Sequence, residues 1–399
     1  GLLVLYMTIG VVENPGLDWS NIQANAIYGI YAGMVYFLAV PGGWIADNIL
    51  GYQKAVLIGA LIITLGHFTL AIPLEQTFIL GLVFVALGTG LLKPNISSIV
   101  GQLYSQNDSR RDSGFTIFYM AINIGSMLGF AVCGWLGEKV GWHFGFGAAG
   151  VGMLFGVTQF ILFRHQLGEA GKYPNKINEQ TKRNYIRGVG LVVILIASVV
   201  ITGIAGFWSI DPVYFAERFR DFLVVISIIY FIYLLFFAGL TANEKKNVLM
   251  LLLLFIGAAA FWSGFDQSAG SLTIFTRDYV NLTFGTFTAP VSWTQFVNPL
   301  FVVMFAPFFA YLWVFLGKRN LDPNMPIKFG LGLILMALGF IVMILAVKYA
   351  LASSPVGVQW LLLTYLLHTF GELTLSPVGL SAFSKYSPKR YLGQMMGIW

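Results

Sequence analysis

The chain is a succession of long apolar runs separated by short polar connections. A bilayer core takes about 20 apolar residues per helix. Runs of that length fall at about 22–46, 54–72, 78–100, 114–136, 142–164, 188–208, 222–241, 247–276, 291–317, 327–351 and 356–383. Shorter runs at 1–12 and 391–399 read as fragments of two more spans, so eleven complete helices are predicted, with the first helix and the C-terminal part incomplete. Barrel strands would alternate apolar and polar positions, whereas stretches such as 249–255 are continuously apolar. Helices satisfy their own backbone groups in hydrocarbon, so the predicted class is an all-α polytopic membrane protein.

Composition agrees. Hydrophobic residues make up 57% of the 399 and charged residues 10%, against roughly 25% charged in ordinary globular chains. The net charge of +6 has a topological explanation. With the connection after the first run placed outside, 17 of the 23 bases fall on inner connections, among them Lys54, Arg110, Arg111, Arg164, Lys172, Lys182, Arg183, Arg187, Lys245, Lys246, Lys318, Lys328, Lys389 and Arg390. Outer connections hold Lys139, Arg218, Arg220, Arg277 and Lys348, and Lys93 lies within a span. This asymmetry is the positive-inside signal and predicts a cytoplasmic N-terminus. A polar stretch at 164–187 divides the chain. The predicted plan is a helix bundle over 1–164, a linker with two extra peripheral helices over 165–246, and a second bundle over 247–399.

Three ionisable side chains sit deep in the spans, where they are costly and by default functional: Lys93, Asp266 and Glu372. Lys93 precedes Pro94, which is expected to break or bend its helix. A lysine there can also snorkel to an interface. Asp266 requires a base, a proton or a wet cavity, and a structural ion pair would serve. Glu372 lies four residues after His368, four before Ser376 and five before Pro377. The i,i+4 spacing puts His368 and Glu372 on one helix face and makes the histidine a minor proton-relay candidate beside a packing role. Asn123 and Asn298 are neutral polar candidates that could simply join helices. Tyr36, Trp262 and Trp399 are large aromatics within runs.

No phosphate-cradling glycine loop, metal-ligand spacing or nucleophile elbow is present, so neither an enzyme nor a cofactor is expected. The single cysteine, Cys133, excludes a disulfide within the chain. The bases lie in short loops rather than an aromatic-interleaved patch, which argues against nucleic acid. No obligate protein partner is evident.

Four stretches resemble one family, and a fifth resembles its wider superfamily. Phe118-Tyr119-Met-Ala-Ile-Asn123-Ile-Gly125-Ser126 is similar to the signature of the proton-dependent oligopeptide transporters, a branch of the major facilitator superfamily. Lys93-Pro94-Asn95 through Tyr104 resembles that family's fourth helix, Phe261-Trp262 through Leu272 its seventh, and Gly371-Glu372-Leu-Thr-Leu-Ser376-Pro377 its tenth. Gly43-Trp-Ile-Ala-Asp47 through Lys54 resembles the superfamily's loop between helices two and three. The resemblance implies two six-helix bundles with two extra linking helices, as in bacterial members. It implies a proton-coupled symporter of the inner (plasma) membrane that imports di- and tripeptides by alternating access. By matching position, Lys93 would attract the peptide carboxylate, while Asn123, Asn298 and Glu372 would hold the amino end, Glu372 supplying the opposite charge. Tyr36, Trp262, Ser376 and Trp399 would line pockets. Asp266 and Glu372 would serve proton coupling and gating. A zwitterionic substrate fits that pairing of Lys93 with Glu372 on electrostatic grounds.

Two departures stand out. The family's opening motif of two glutamates and an arginine would lie just before the first residue of this chain. At the seventh-helix position the family usually has glutamate, and here Asp266 is one methylene shorter. The alternative substrate on the same fold is another small anion, such as nitrate, or a drug-like solute. A channel is the less favoured reading.

Overall fold

The structure, a computed structural model, describes every residue except 11–13, 104–110, 208, 210, 354, 389 and 390, and only the backbone of 111–116, 204, 353, 384, 392, 393 and 397. The distal part of the first run, the Tyr104 end of the Lys93 motif, and Arg110, Lys389 and Arg390 therefore lie outside the described residues. Among the described residues ten helical segments are long and apolar enough to cross a bilayer. They coincide with the first ten complete runs expected from sequence. The eleventh run forms a helix of membrane length, Gln359–Tyr386, but is less apolar than the rest. Its polar residues, His368, Thr369, Glu372, Thr374 and Ser376, explain the difference.

The chain packs as two compact units. One consists of residues 6–122 and 132–216. It holds α1 (Leu2–Thr8) beyond Leu5, α2 (Asn21–Phe37), α3 (Ala39–Ile45), α4 (Tyr52–Leu70), α5 (Glu75–Gln102), most of α6 (Arg111–Lys139), α7 (Trp142–Phe163) and α8 (Glu179–Ile204). The run at 22–46 is interrupted. Pro41 has no N–H and its ring opposes the carbonyl four residues back, so the helix restarts at Ala39. A π-turn, Ala46–Leu50, then ends at Gly51, whose φ of 76° suits glycine. The core lies between α4 and α5. A Cβ on Gly88 would stand 2.6 Å from the carbonyl oxygen of Gly59, so these helices approach as close as backbone allows, in the manner of small-residue membrane packing. Around that contact Val56, Ile63, Phe78, Val85, Trp142 and Phe146 are buried.

The segment after α7 is not a loose tether. Gln53 donates through Nε2 to the carbonyls of Gly168 (3.2 Å) and Ala170 (2.9 Å), and its N–H donates to Gly171 (2.9 Å). The Gly171 N–H donates to Gln102 Oε1 at 2.6 Å, and the Asn175 N–H donates to the Asp47 carbonyl at 2.7 Å. The Tyr52 hydroxyl closes the set on the Asp47 carboxylate at 2.7 Å. Outside the helices, Glu169 lies 2.8 Å from the Lys172 ammonium and raises that lysine's pKa.

The other unit consists of residues 1–5, 123–131 and 217–399. It contains most of α9 (Pro212–Ile232), then α10 (Ala242–Phe265), α11 (Ser271–Tyr279), α12 (Val297–Lys318), α13 (Met325–Ser353), α14 (Gln359–Tyr386) and α15 (Leu392–Ile398). The two linking helices, both expected to be peripheral, differ: the apolar window of α8 buries nothing, whereas α9 contributes to a core. Phe231 of α9 and Leu234 just after it are fully packed with Leu251, Leu254 and Phe261 of α10. The run at 247–276 is two helices joined by a tight turn at Asp266–Ser268. Buried Gln295 stitches that turn, donating through Nε2 to the Ser268 carbonyl (3.3 Å) and to Thr273 Oγ1 (2.8 Å).

Candidate functional site

Proline does not break α5. The helix continues through Pro94 to Gln102, and Asn95 turns its Nδ2 back to the Leu91 carbonyl (2.7 Å) and across to Gly42 (3.2 Å). Asn95 is buried, which pins α5 to α3 and leaves Lys93, two residues earlier, on a different face. Lys93 is exposed, and its Nζ stands 4.0 Å from the centroid of the Tyr36 ring on α2. A ring face attracts an ammonium without neutralising it.

Glu372 is held differently. Pro299 belongs to the first turn of α12, where a missing N–H costs little, and Asn298 precedes it. Asn298 Nδ2 donates to Glu372 Oε2 at 3.1 Å and to Thr369 Oγ1 at 2.9 Å. Thr369 in turn donates to the Tyr365 carbonyl at 2.7 Å. The carboxylate is thus oriented from two helices and can accept from a cation. α14 reaches this depth because Gly371 meets Gly332 of α13. A Cβ on Gly371 would lie 2.8 Å from the Gly332 carbonyl oxygen and 2.9 Å from the Phe261 ring.

The shared face expected for His368 and Glu372 does not translate into a shared partner. His368 is buried against α13, its ring 5.0 Å from that of Phe340, while Glu372 turns to α12. Ser376 is half-buried one turn beyond Glu372. Trp262 packs edge-on to Phe261 (5.5 Å) and Phe265 (5.1 Å). Trp399 stacks by Phe383 (5.0 Å) and covers Gly379, where a Cβ would collide with its indole. Asn123 is half-buried on α6. Asp266 is exposed at the α10–α11 break rather than within a continuous helix. The structure thus joins Lys93 to Tyr36 and Asn298 to Glu372. Thr369 and Gln295 were not singled out by sequence. A threonine one turn before an intramembrane acid, and a glutamine three residues before Asn-Pro, were the available signals.

A family model described as the POT family matches residues 53–399. The peptide transporter YePEPT of Yersinia enterocolitica is 40% identical, over 100% of this chain and 80% of that protein. A di-/tripeptide transporter of Lactococcus lactis is 36% identical over 100% of this chain and 81% of its own. Among solved structures, a peptide transporter POT in complex with sulfate matches with a TM-score of 0.92 at 38% identity, covering 100% of this chain and 80% of that one. A POT family transporter in complex with 5-aminolevulinic acid matches with a TM-score of 0.89 at 33% identity, over 100% and 82%. These relatives are multi-pass membrane transporters of helical, major-facilitator type, not enzymes, and this chain shares their fold. The chain belongs to the POT family.

Proposed function

We propose that this protein is a proton-coupled symporter that imports di- and tripeptides across the plasma (inner) membrane by alternating access, with its N-terminus cytoplasmic. The relatives named as peptide transporters support the substrate class. The observation that carries the reading is the fixed carboxylate of Glu372, presented by Asn298 and Thr369 within an apolar bundle. A nitrate-like anion needs a cation alone. An acid built into the site calls for a substrate that also bears a positive group, such as a peptide's amino end.

In this reading the peptide carboxylate is drawn to Lys93, and Glu372, Asn298 and Asn123 take the amino end. Tyr36, Trp262, Ser376 and Trp399 line the side-chain pockets. Asp266 and Glu372 exchange the proton. Protonation changes the relative stability of the transporter's states, and an inward proton gradient gives the cycle direction. The helices of 1–164 and 247–399 form the two transport bundles, and 165–246 links them.

The test is uptake of labelled dialanine into proteoliposomes with and without an imposed pH gradient. Accumulation above equilibrium only with the gradient is expected, and Lys93→Ala or Glu372→Ala abolishes it. Uptake indifferent to the gradient overturns proton coupling. Dissipation without accumulation identifies a channel. A Glu372→Ala protein that still concentrates nitrate identifies the anion reading.

A further inference from the structure

α8 is fixed at its start and bare along its length. Asn178 caps it, Oδ1 accepting from the Thr181 N–H at 2.6 Å, and Asn175 is tied to Asp47 just before it. Nearly two turns into the helix, Tyr185 lies against Trp44, ring centroids 4.8 Å apart. That contact defines the side of α8 facing the protein. Residues two positions away on a helix point to the opposite side. Arg183 and Arg187 are both two positions from Tyr185 and four from each other, so they share the outer face. Both are exposed, and among the described residues neither makes an ion pair or a side-chain hydrogen bond.

The same face continues as Gly190, Leu191, Ile194, Ser198 and Ile201. Leu191 is 68% exposed and Ile194 64%, and no residue in the apolar window of α8 is buried. From Leu191 to Ile201 the helix rises about 15 Å, half of a bilayer core of about 30 Å. The stripe therefore runs from two guanidinium groups at the membrane edge to the midplane. It has the length and polarity of one lipid molecule in one leaflet. Trp44 and Tyr185 lie behind it, on the side of α8 that faces the protein.

We infer that the outer face of α8 binds an anionic phospholipid, its headgroup phosphate held by Arg183 and Arg187 and its acyl chain laid along Leu191, Ile194 and Ile201. Guanidinium groups bind phosphate bidentately, and a headgroup without its own cation leaves that charge unopposed. A choline headgroup carries its own cation and competes poorly. This inference is independent of the transported substrate.

The full chain, reconstituted in vesicles containing spin-labelled phosphatidylglycerol or phosphatidylcholine, provides the test through the relative association of the two lipids. Phosphatidylglycerol is expected to be preferred. Arg187→Gln reduces that preference about five-fold, the usual contribution of one basic side chain at an anionic surface, and Arg183→Gln with Arg187→Gln brings the two lipids to near parity. Arg183→Lys with Arg187→Lys keeps most of the preference and controls for folding. Lys54, exposed at the start of α4, is the comparison base. Equal losses in Lys54→Gln and Arg187→Gln reveal diffuse attraction and overturn the site, as does an unchanged preference in the double glutamine variant or its loss in the double lysine one. Displacement of labelled lipid by inorganic phosphate, beyond that caused by chloride at equal ionic strength, identifies a phosphate site instead.

Discussion

The surroundings of Lys93 and of Glu372 solve the same problem in opposite ways. Each places an ionisable group on a helix of membrane length. Lys93 has a long stem, an aromatic face at 4.0 Å and an exposed position. Glu372 has a short stem and a donor from a second helix at 3.1 Å, with Thr369 bracing that donor. The cation is left adjustable and the anion is set in place. Under the proposed function, one rigid and one adjustable anchor would accommodate peptides of both two and three residues. Two rigid anchors would select a single length.

Substitutions that change reach without changing charge bear on this contrast most strongly. Glu372→Asp withdraws the carboxylate by one methylene from Asn298 and is expected to lower dialanine uptake by about 100-fold, the scale of a 1 Å misplacement. Lys93→Arg keeps charge and length and is expected to cost about ten-fold or less. Similar losses in the two variants would show that both anchors are equally rigid. Asn298→Ala leaves the carboxylate short of a donor at a cost of about 1–3 kcal/mol, with a matching rise in the dialanine concentration needed for half-maximal uptake. An unchanged half-maximal concentration would mean that Asn298 only joins helices.

Smaller effects separate the scaffolds of the two sites. Gly371→Ala forces a methyl against the Gly332 backbone and is expected to lower stability by about 1–3 kcal/mol, read as an earlier thermal unfolding transition in detergent. Gly29→Ala on α2, where nothing lies within 4 Å of the added carbon, is expected to be neutral or slightly stabilising. Tyr36→Phe keeps the ring under Lys93 and should leave uptake unchanged. Tyr36→Leu removes it and should lower uptake by roughly two- to five-fold, the worth of an exposed cation–π contact. If Phe is as damaging as Leu, the hydroxyl matters and the ring does not.

The spans were legible because apolar length is a property of each segment alone. Lys93, Glu372 and Asn298 were legible because polarity in an apolar run is conspicuous wherever it falls. What escaped depends on distant partners. Asn298 and Thr369 are 71 residues apart in sequence, and no local pattern pairs them. The polar Asp266-Gln267-Ser268 stands out in its run, but that it is a turn was hidden, since the turn is held by Gln295 from a later segment. For His368, helical spacing gave the face but not the neighbour, Phe340, that it meets. α9 looked like α8 in composition, and only packing distinguishes the buried Phe231 from the bare Leu191.

The hydrogen-bonded segment between Gly168 and Asn175 has a consequence for cleavage. A protease must draw several residues into an extended strand in its own cleft, and the backbone groups it would need at 168, 170, 171 and 175 already serve Gln53, Gln102 and Asp47. Gly171 is buried, and a side chain there would press on Tyr52 at 2.9 Å. The longest polar stretch of the chain, which by composition looks the easiest to digest, should resist nicking at its centre and yield first at its borders with α7 and α8.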